Sequence, residues 1–142
     1  MSGVAELLEA VTERWAADPD GDVVWAGDHE GRRGVRMRQT VRDMTTVWFE
    51  VGDRTLRVEA YVLPSPPHGH EEVYRIALAH NARTRRVAFA LDRLGDLVLT
   101  ARIPVDEVTD HELELTLGEV YDVIEVSFRS LIVAGFGRET KP

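Results

Sequence analysis

Cysteine is missing from all 142 residues, and lysine occurs once, at Lys141. Without cysteine there is no disulfide, no thiolate nucleophile and no sulfur-based zinc site. No apolar run approaches the roughly 20 residues that cross a bilayer. Glu6, Glu9 and Glu13 stand where a secretory leader would be basic and then apolar. A cytoplasmic protein with no membrane partner is expected. Serine is also scarce: Ser2, Ser65, Ser127 and Ser130 lie in no G-x-S-x-G elbow and beside no signature of a base. No catalytic residue, cofactor or metal is therefore assigned, and the chain is not expected to be an enzyme.

What is abundant is charge of one sign. There are 25 acidic residues against 17 basic ones, and the formal net charge is -8. That balance opposes polyphosphate, so nucleic acid is a disfavoured partner. The length suits one domain over residues 1–142, able to bury roughly 70% of its unfolded surface.

Val4, Leu7, Leu8, Val11 and Trp15 share one stripe of a first helix, stopped at Asp18-Pro19. From Asp18 to Gly34 the chain is polar and glycine-rich, and reads as a long loop with at most a short extended piece. Val35, Met37 and Gln39 alternate with Arg36 and Arg38 as a strand. Two further strands, Met44 to Val51 and Arg54 to Leu63, flank Gly52-Asp53, read as a two-residue hairpin turn. That turn would set Val51, Phe49 and Val47 opposite Arg54, Leu56 and Val58 on one face, and Trp48, Thr46 and Met44 opposite Arg57, Glu59 and Tyr61 on the other.

Pro64 to Pro67 forms a rigid connector. Val73, Ile76, Ala77 and His80 mark a second helix ending near Asn81. Val87, Phe89 and Leu91 then alternate, as do Leu97, Leu99, Ala101 and Ile103. An odd-numbered loop, read as Leu94-Gly95-Asp96, keeps both sets on one face. Thr109 and Glu112 have the spacing of a capping box, and Val108 and Leu113 that of a staple. Leu113, Leu117, Val120, Ile124, Phe128 and Leu131 give a long apolar face, with Gly135-Phe136 as the expected stop. The fold class is α+β, in the order α-β-β-β-α-β-β-α, with an antiparallel sheet packed by helices.

Several motifs fail on inspection. His68-Gly69-His70-Glu71-Glu72 has metal-ligand chemistry but sits at a proline-rich turn and helix start. Asp18 to Asp22 lacks the glycine and the closing glutamate of a calcium loop. Gly135-Phe136-Gly137 follows a helix where a dinucleotide fingerprint needs a strand. Asp92 and Asp96 flank a turn, where aspartate bonds its own backbone. Two basic patches remain: Arg32, Arg33, Arg36, Arg38 and Arg42, and then Arg75, Arg83, Arg85 and Arg86. Either could bind an acidic peptide or nucleic acid, although pairing with the many carboxylates is the simpler reading. Arg83, Arg85 and Arg86 are the candidates for a small anionic ligand, the alternative to a protein partner.

The segments VGDRTLRVEAYV, EEVYRIALAHNARTRRVAFALDRLGDLVLTARIP and VTDHELELTLGEVYDVIEVSFRSLIVAGF resemble the actinobacterial branch of the YbjN-domain family, whose fold is like that of type III secretion chaperones. The family pattern of a helix closing on asparagine is met by Asn81, its Gly-Asp turn by Gly95-Asp96, and its final Phe and Gly-Phe by Phe128, Gly135 and Phe136. Arg85-Arg86 stands where an aromatic is common. The resemblance implies a binding or chaperone-like module with no active site, and a homodimer meeting through the second helix, at Val73, Ile76, Ala77 and His80. With three helices available, one sheet face carrying Val47, Phe49, Val51, Leu56, Val58, Phe89, Leu91 and Leu99 can be sealed. Trp48, Met44, Tyr61 and Leu63, with Arg57 stacking on Trp48, are expected on the reverse face, to be covered by a second subunit, the second helix or an unidentified client protein or peptide.

Overall fold

The computed structural model describes residues 3–137. The elements are α1 (Gly3–Ala17), β1 (Val23–His29), β2 (Arg32–Arg38), β3 (Met44–Val51), β4 (Thr55–Leu63), α2 (His70–Asn81), β5 (Ala88–Leu91), β6 (Leu97–Pro104), a single 3-10 turn at Val105–Glu107, and α3 (Asp110–Phe136). The fold is α+β, with one antiparallel sheet in the order β1-β2-β3-β4-β6-β5.

The sheet has one strand more than the sequence reading found. β1 lies in the segment read as a loop, and a two-residue turn at Glu30-Gly31 joins it to β2. Both residues have positive φ, 53° and 80°, the geometry that Asn-Gly normally announces. Glutamate at the first position hides that signal. A bulge between Val23 and Trp25 also breaks the period-two alternation.

Register differs from expectation in both later hairpins. The β3–β4 loop takes Gly52, Asp53 and Arg54, so Val51 pairs with Leu56, Phe49 with Val58 and Val47 with Ala60. Leu91 pairs with Leu97 and Phe89 with Leu99 across a loop running from Asp92 to Asp96. Each shift is by two positions, and because the side-chain period is two, the assignment of faces survives.

All three helices cover the same side of the sheet. Leu8 and Val11 of α1, Val73 and Ala77 of α2, and Leu113, Val120, Ile124 and Leu131 of α3 join Val35, Val47, Phe49, Leu56, Val58 and Leu99 in one apolar cluster. Val51 and Leu91, expected within this sealed layer, are 38% and 48% exposed. They are the last residues of β3 and β5, at the margin of the helical layer. Thr109 Oγ1 accepts from the Glu112 N–H at 3.0 Å, which forms half of the capping box. The Glu112 carboxylate turns instead to Arg86. Gly135 does not stop α3. It lies inside the helix, where a Cβ would come 2.8 Å from Pro66 Cβ and 3.1 Å from Val73 Cγ2.

Candidate functional site: the open face of the sheet

Directly paired residues of an antiparallel sheet share a face, so the pairing fixes what the uncovered side presents. One row crosses Gly27, Gly34, Trp48, Glu59 and Thr100, and the next joins Trp25, Arg36 and Thr46. His29 pairs with Arg32, Glu50 with Arg57, Arg57 with Arg102, and Arg38 with Met44. Tyr61, Val98 and Ala90 complete the face at the β5 end.

Trp48 is only half-buried, and its own chain supplies the cover. The ring lies over Gly34, where a Cβ would approach Cζ3 to 2.5 Å, while the Trp25 ring lies over Gly27, with Cζ2 at 2.6 Å from the corresponding position. The two glycines are cross-strand partners, so both indoles rest on bare backbone. They meet edge to face, with centroids 6.5 Å apart. The Arg32 guanidinium lies 4.5 Å from the Trp48 ring centroid, and that of Arg36 lies 4.9 Å from Trp25. Arg57, expected to stack on Trp48, is instead paired with Glu50 at 3.2 Å, a consequence of the shifted register.

Met44 and Tyr61 are 39% and 46% exposed on this face. Leu63 is not part of it. A register shift between Tyr61 and Leu63 turns both Val62 and Leu63 into the core, each 1% exposed. Arg42 secures that bulge, donating to the Val62 and Tyr61 carbonyls at 2.6 and 2.7 Å. Beside Tyr61 and Val98, the β5–β6 loop borders a groove of about 490 Å³ lined by Arg57, Glu59, Leu91, Leu94, Val98 and Thr100.

The other candidate residues are placed differently from expectation. Val73 and Ala77 are buried in the protomer's own core, 0% and 4% exposed, because α2 turns that stripe inward. They offer nothing to a second copy. Ile76 and His80 are half-buried, and partial burial, then the charge of Arg83, push the His80 pKa down. In the arginine cluster at 83–86 the Arg86 side chain is committed internally, while Arg83 and Arg85 are exposed. Arg86 grips Glu112 through Nε at 2.8 Å and Nη2 at 3.3 Å. The consecutive N–H groups of Arg85, Arg86 and Val87, a cradle suited to an anion, donate to the Glu119 carboxylate at 2.9, 2.7 and 2.8 Å. The chain fills this anion cradle itself.

Arg33 is a neighbour of Arg32 in sequence but points to the covered side. Its side chain is 8% exposed, donating to Thr12 Oγ1 at 2.9 Å and Glu13 at 2.7 Å. Burial pulls its pKa down, but the hydrogen bonds it donates to Glu13 and Asp28, with their charges, outweigh that and raise it. Among the described residues, no three His, Asp or Glu side chains converge as metal ligands. No helix there is long and apolar enough to cross a membrane.

The chain is 37% identical over 88 residues to uncharacterized protein Rv0487 of Mycobacterium tuberculosis and to Mb0497 of Mycobacterium bovis, covering 62% of this chain and 48% of each relative. It is 35% identical over 92 residues to ML2442 of Mycobacterium leprae, covering 65% of this chain and 50% of that protein. The chain thus spans about half the length of the curated relatives it matches. A family profile described as "Putative bacterial sensory transduction regulator" matches residues 5–132. Since that span takes in every strand and nearly all of the helical layer, the chain belongs to the YbjN family.

Proposed function

We propose that this chain is a non-catalytic binding module with a regulatory role, an adaptor or chaperone that docks a protein or peptide partner on its open sheet face. The observation that carries the reading is one-sided coverage. Three helices seal one face, while the other presents half-buried Trp25 and Trp48, exposed Met44 and Tyr61, and the neighbouring groove. Aromatics with adjacent arginine are the side chains that dominate protein interfaces. The family's description as a regulator and the resemblance to secretion chaperones both support a binding role. Sensing a small anion through Arg83, Arg85 and Arg86 would have to draw Arg86 away from Glu112, and the backbone cradle of residues 85–87 is already filled by Glu119. Of the α2 residues expected at a homodimer contact, Ile76 and His80 keep exposed surface, and Leu78 adds to it.

Affinity purification from the native host, with Met44→Ser/Tyr61→Ser as the comparison, tests the reading. Both side chains are exposed, so the variant should keep its circular dichroism. A partner recovered with the parent chain should be lost with the variant, and sedimentation shows whether that partner is a second copy. Equal recovery with both would refute the assignment of the face.

A further inference from the structure

We propose that the open face accepts an acidic polypeptide segment, its carboxylates held by the indole-stacked guanidinium groups of Arg32 and Arg36. The inference rests on the reading of this face as a docking surface and adds the chemistry of the partner.

The first support is local charge. The face carries Arg32, Arg36, Arg38, Arg57 and Arg102 against Glu50 and Glu59, in a chain whose net charge is -8. The open face is thus net basic on a net acidic chain. The second is the state of those arginines. Elsewhere some cations are matched with carboxylates, Arg33 with Glu13 and Asp28, Arg75 with Glu71 and Glu72, and Arg86 with Glu112, while Arg83 and Arg85 are exposed with neither an ion pair nor an aromatic ring beneath them among the described residues. On the open face, among the described residues, only Arg57 has a carboxylate within 4.0 Å. Arg32 and Arg36 are held instead by the indoles beneath them, at 4.5 and 4.9 Å. A guanidinium lying on an aromatic ring keeps its N–H edge free, and that planar fork fits a carboxylate through two parallel bonds.

The same geometry favours polypeptide over nucleic acid. Base stacking needs an open aromatic face, whereas each indole here already lies on a glycine and carries a guanidinium. The overall negative charge also repels a polyphosphate, while a segment of a few carboxylates meets mainly the local patch.

The test begins with short random peptides displayed on phage and selected at low salt against the full chain. Enriched sequences are then synthesised with a fluorophore and titrated by anisotropy, beside versions with Gln and Asn for Glu and Asp, and beside a single-stranded oligonucleotide. Selection should enrich Asp and Glu. The amide versions should bind about tenfold more weakly or worse, as should the acidic peptide to Arg32→Gln/Arg36→Gln, with Arg129→Gln on α3 unaffected. Added salt should weaken the acidic peptide. In the unaltered protein the indole N–H signals of Trp25 and Trp48 should move on binding, a readout that does not depend on any variant folding. Neutral or basic peptides that move those signals would overturn the acidic preference and leave the docking face standing. Tighter binding of the oligonucleotide would overturn it in favour of nucleic acid. Enriched peptides that leave both indoles unmoved would sink the docking face as well.

Discussion

Glu119 binds three successive backbone N–H groups with one carboxylate, and that arrangement sets its titration. Partial burial works to raise its pKa, but the N–H donors of Arg85, Val87 and Arg86, with the charge of Arg86, outweigh burial and hold it below the ordinary 4.5. A carboxylate depressed in the folded state contributes stability that is complete above its unfolded pKa and is lost as pH falls through the folded value. Glu119→Gln keeps one acceptor and turns an NH2 group towards the remaining donors. It should therefore unfold at lower temperature than the parent near neutral pH, with the gap narrowing below about pH 4.5 as the parent's carboxyl protonates. Glu125, also held low by Thr40 and Gln39, titrates in both proteins and cancels in the difference. A gap independent of pH would show that Glu119 acts through packing alone. Gly69 gives a prediction of another kind. It precedes α2 at φ 68° and is pressed on the Ala134 carbonyl of α3, so a Cβ meets both backbone strain and a backbone oxygen. Gly69→Ala should cost about 3 kcal/mol or more in urea unfolding, because no flexible side chain can yield. A cost near zero would mean that the connector between β4 and α2 can move off α3.

At the scale of elements, Asn81 links α2 to the sheet. β5 is an edge strand, and edges invite pairing with other chains. The Asn81 side chain accepts from the Phe89 N–H at 2.7 Å and donates to its carbonyl at 3.2 Å, as a neighbouring strand would. Asn81→Ala should cost about 1 to 3 kcal/mol, measured by urea unfolding, because both Phe89 groups lose their partner together. It should also make the protein more prone to aggregate. A variant as stable as the parent would show that water replaces the amide at that edge. The sequence makes Asn81 visible as the end of a helical stripe, but not its partner, since pairing across a loop has no periodic signature. The same limit explains the rest. Parity placed Trp48, Met44 and Tyr61 together, because a two-position slip of register leaves faces unchanged. It misplaced Leu63, because a bulge changes parity within one strand. Trp25 was missed because its strand is broken by a bulge and closed by a turn that glutamate disguises. Val73 and Ala77 were recognisable as an apolar stripe, but periodicity does not say whether a stripe faces its own core or a neighbour.

For the molecule as a whole, the decisive feature is that a single apolar cluster runs from Leu8 in α1 to Leu131 in α3. α1 is tied to the sheet by that cluster and by Arg33, whose bonds to Thr12 and Glu13 hold the helix on the β1–β2 hairpin. Neither attachment is separable from the core: Leu8 and Val11 are 2% and 0% exposed, so releasing α1 would uncover the side chains that pack on it. The three indoles report on different parts of this arrangement, Trp15 at the end of α1 and the Trp25–Trp48 pair on the uncovered face. If the cluster is one cooperative unit, indole fluorescence and far-ultraviolet circular dichroism should give superimposable urea transitions, and the calorimetric and van't Hoff enthalpies should agree. A fluorescence change that precedes the loss of helical signal would locate a weaker unit in the β1–β2 hairpin. The open face would then lose the strand that carries Trp25 before the rest of the sheet, and Arg36 would lose the ring that holds it.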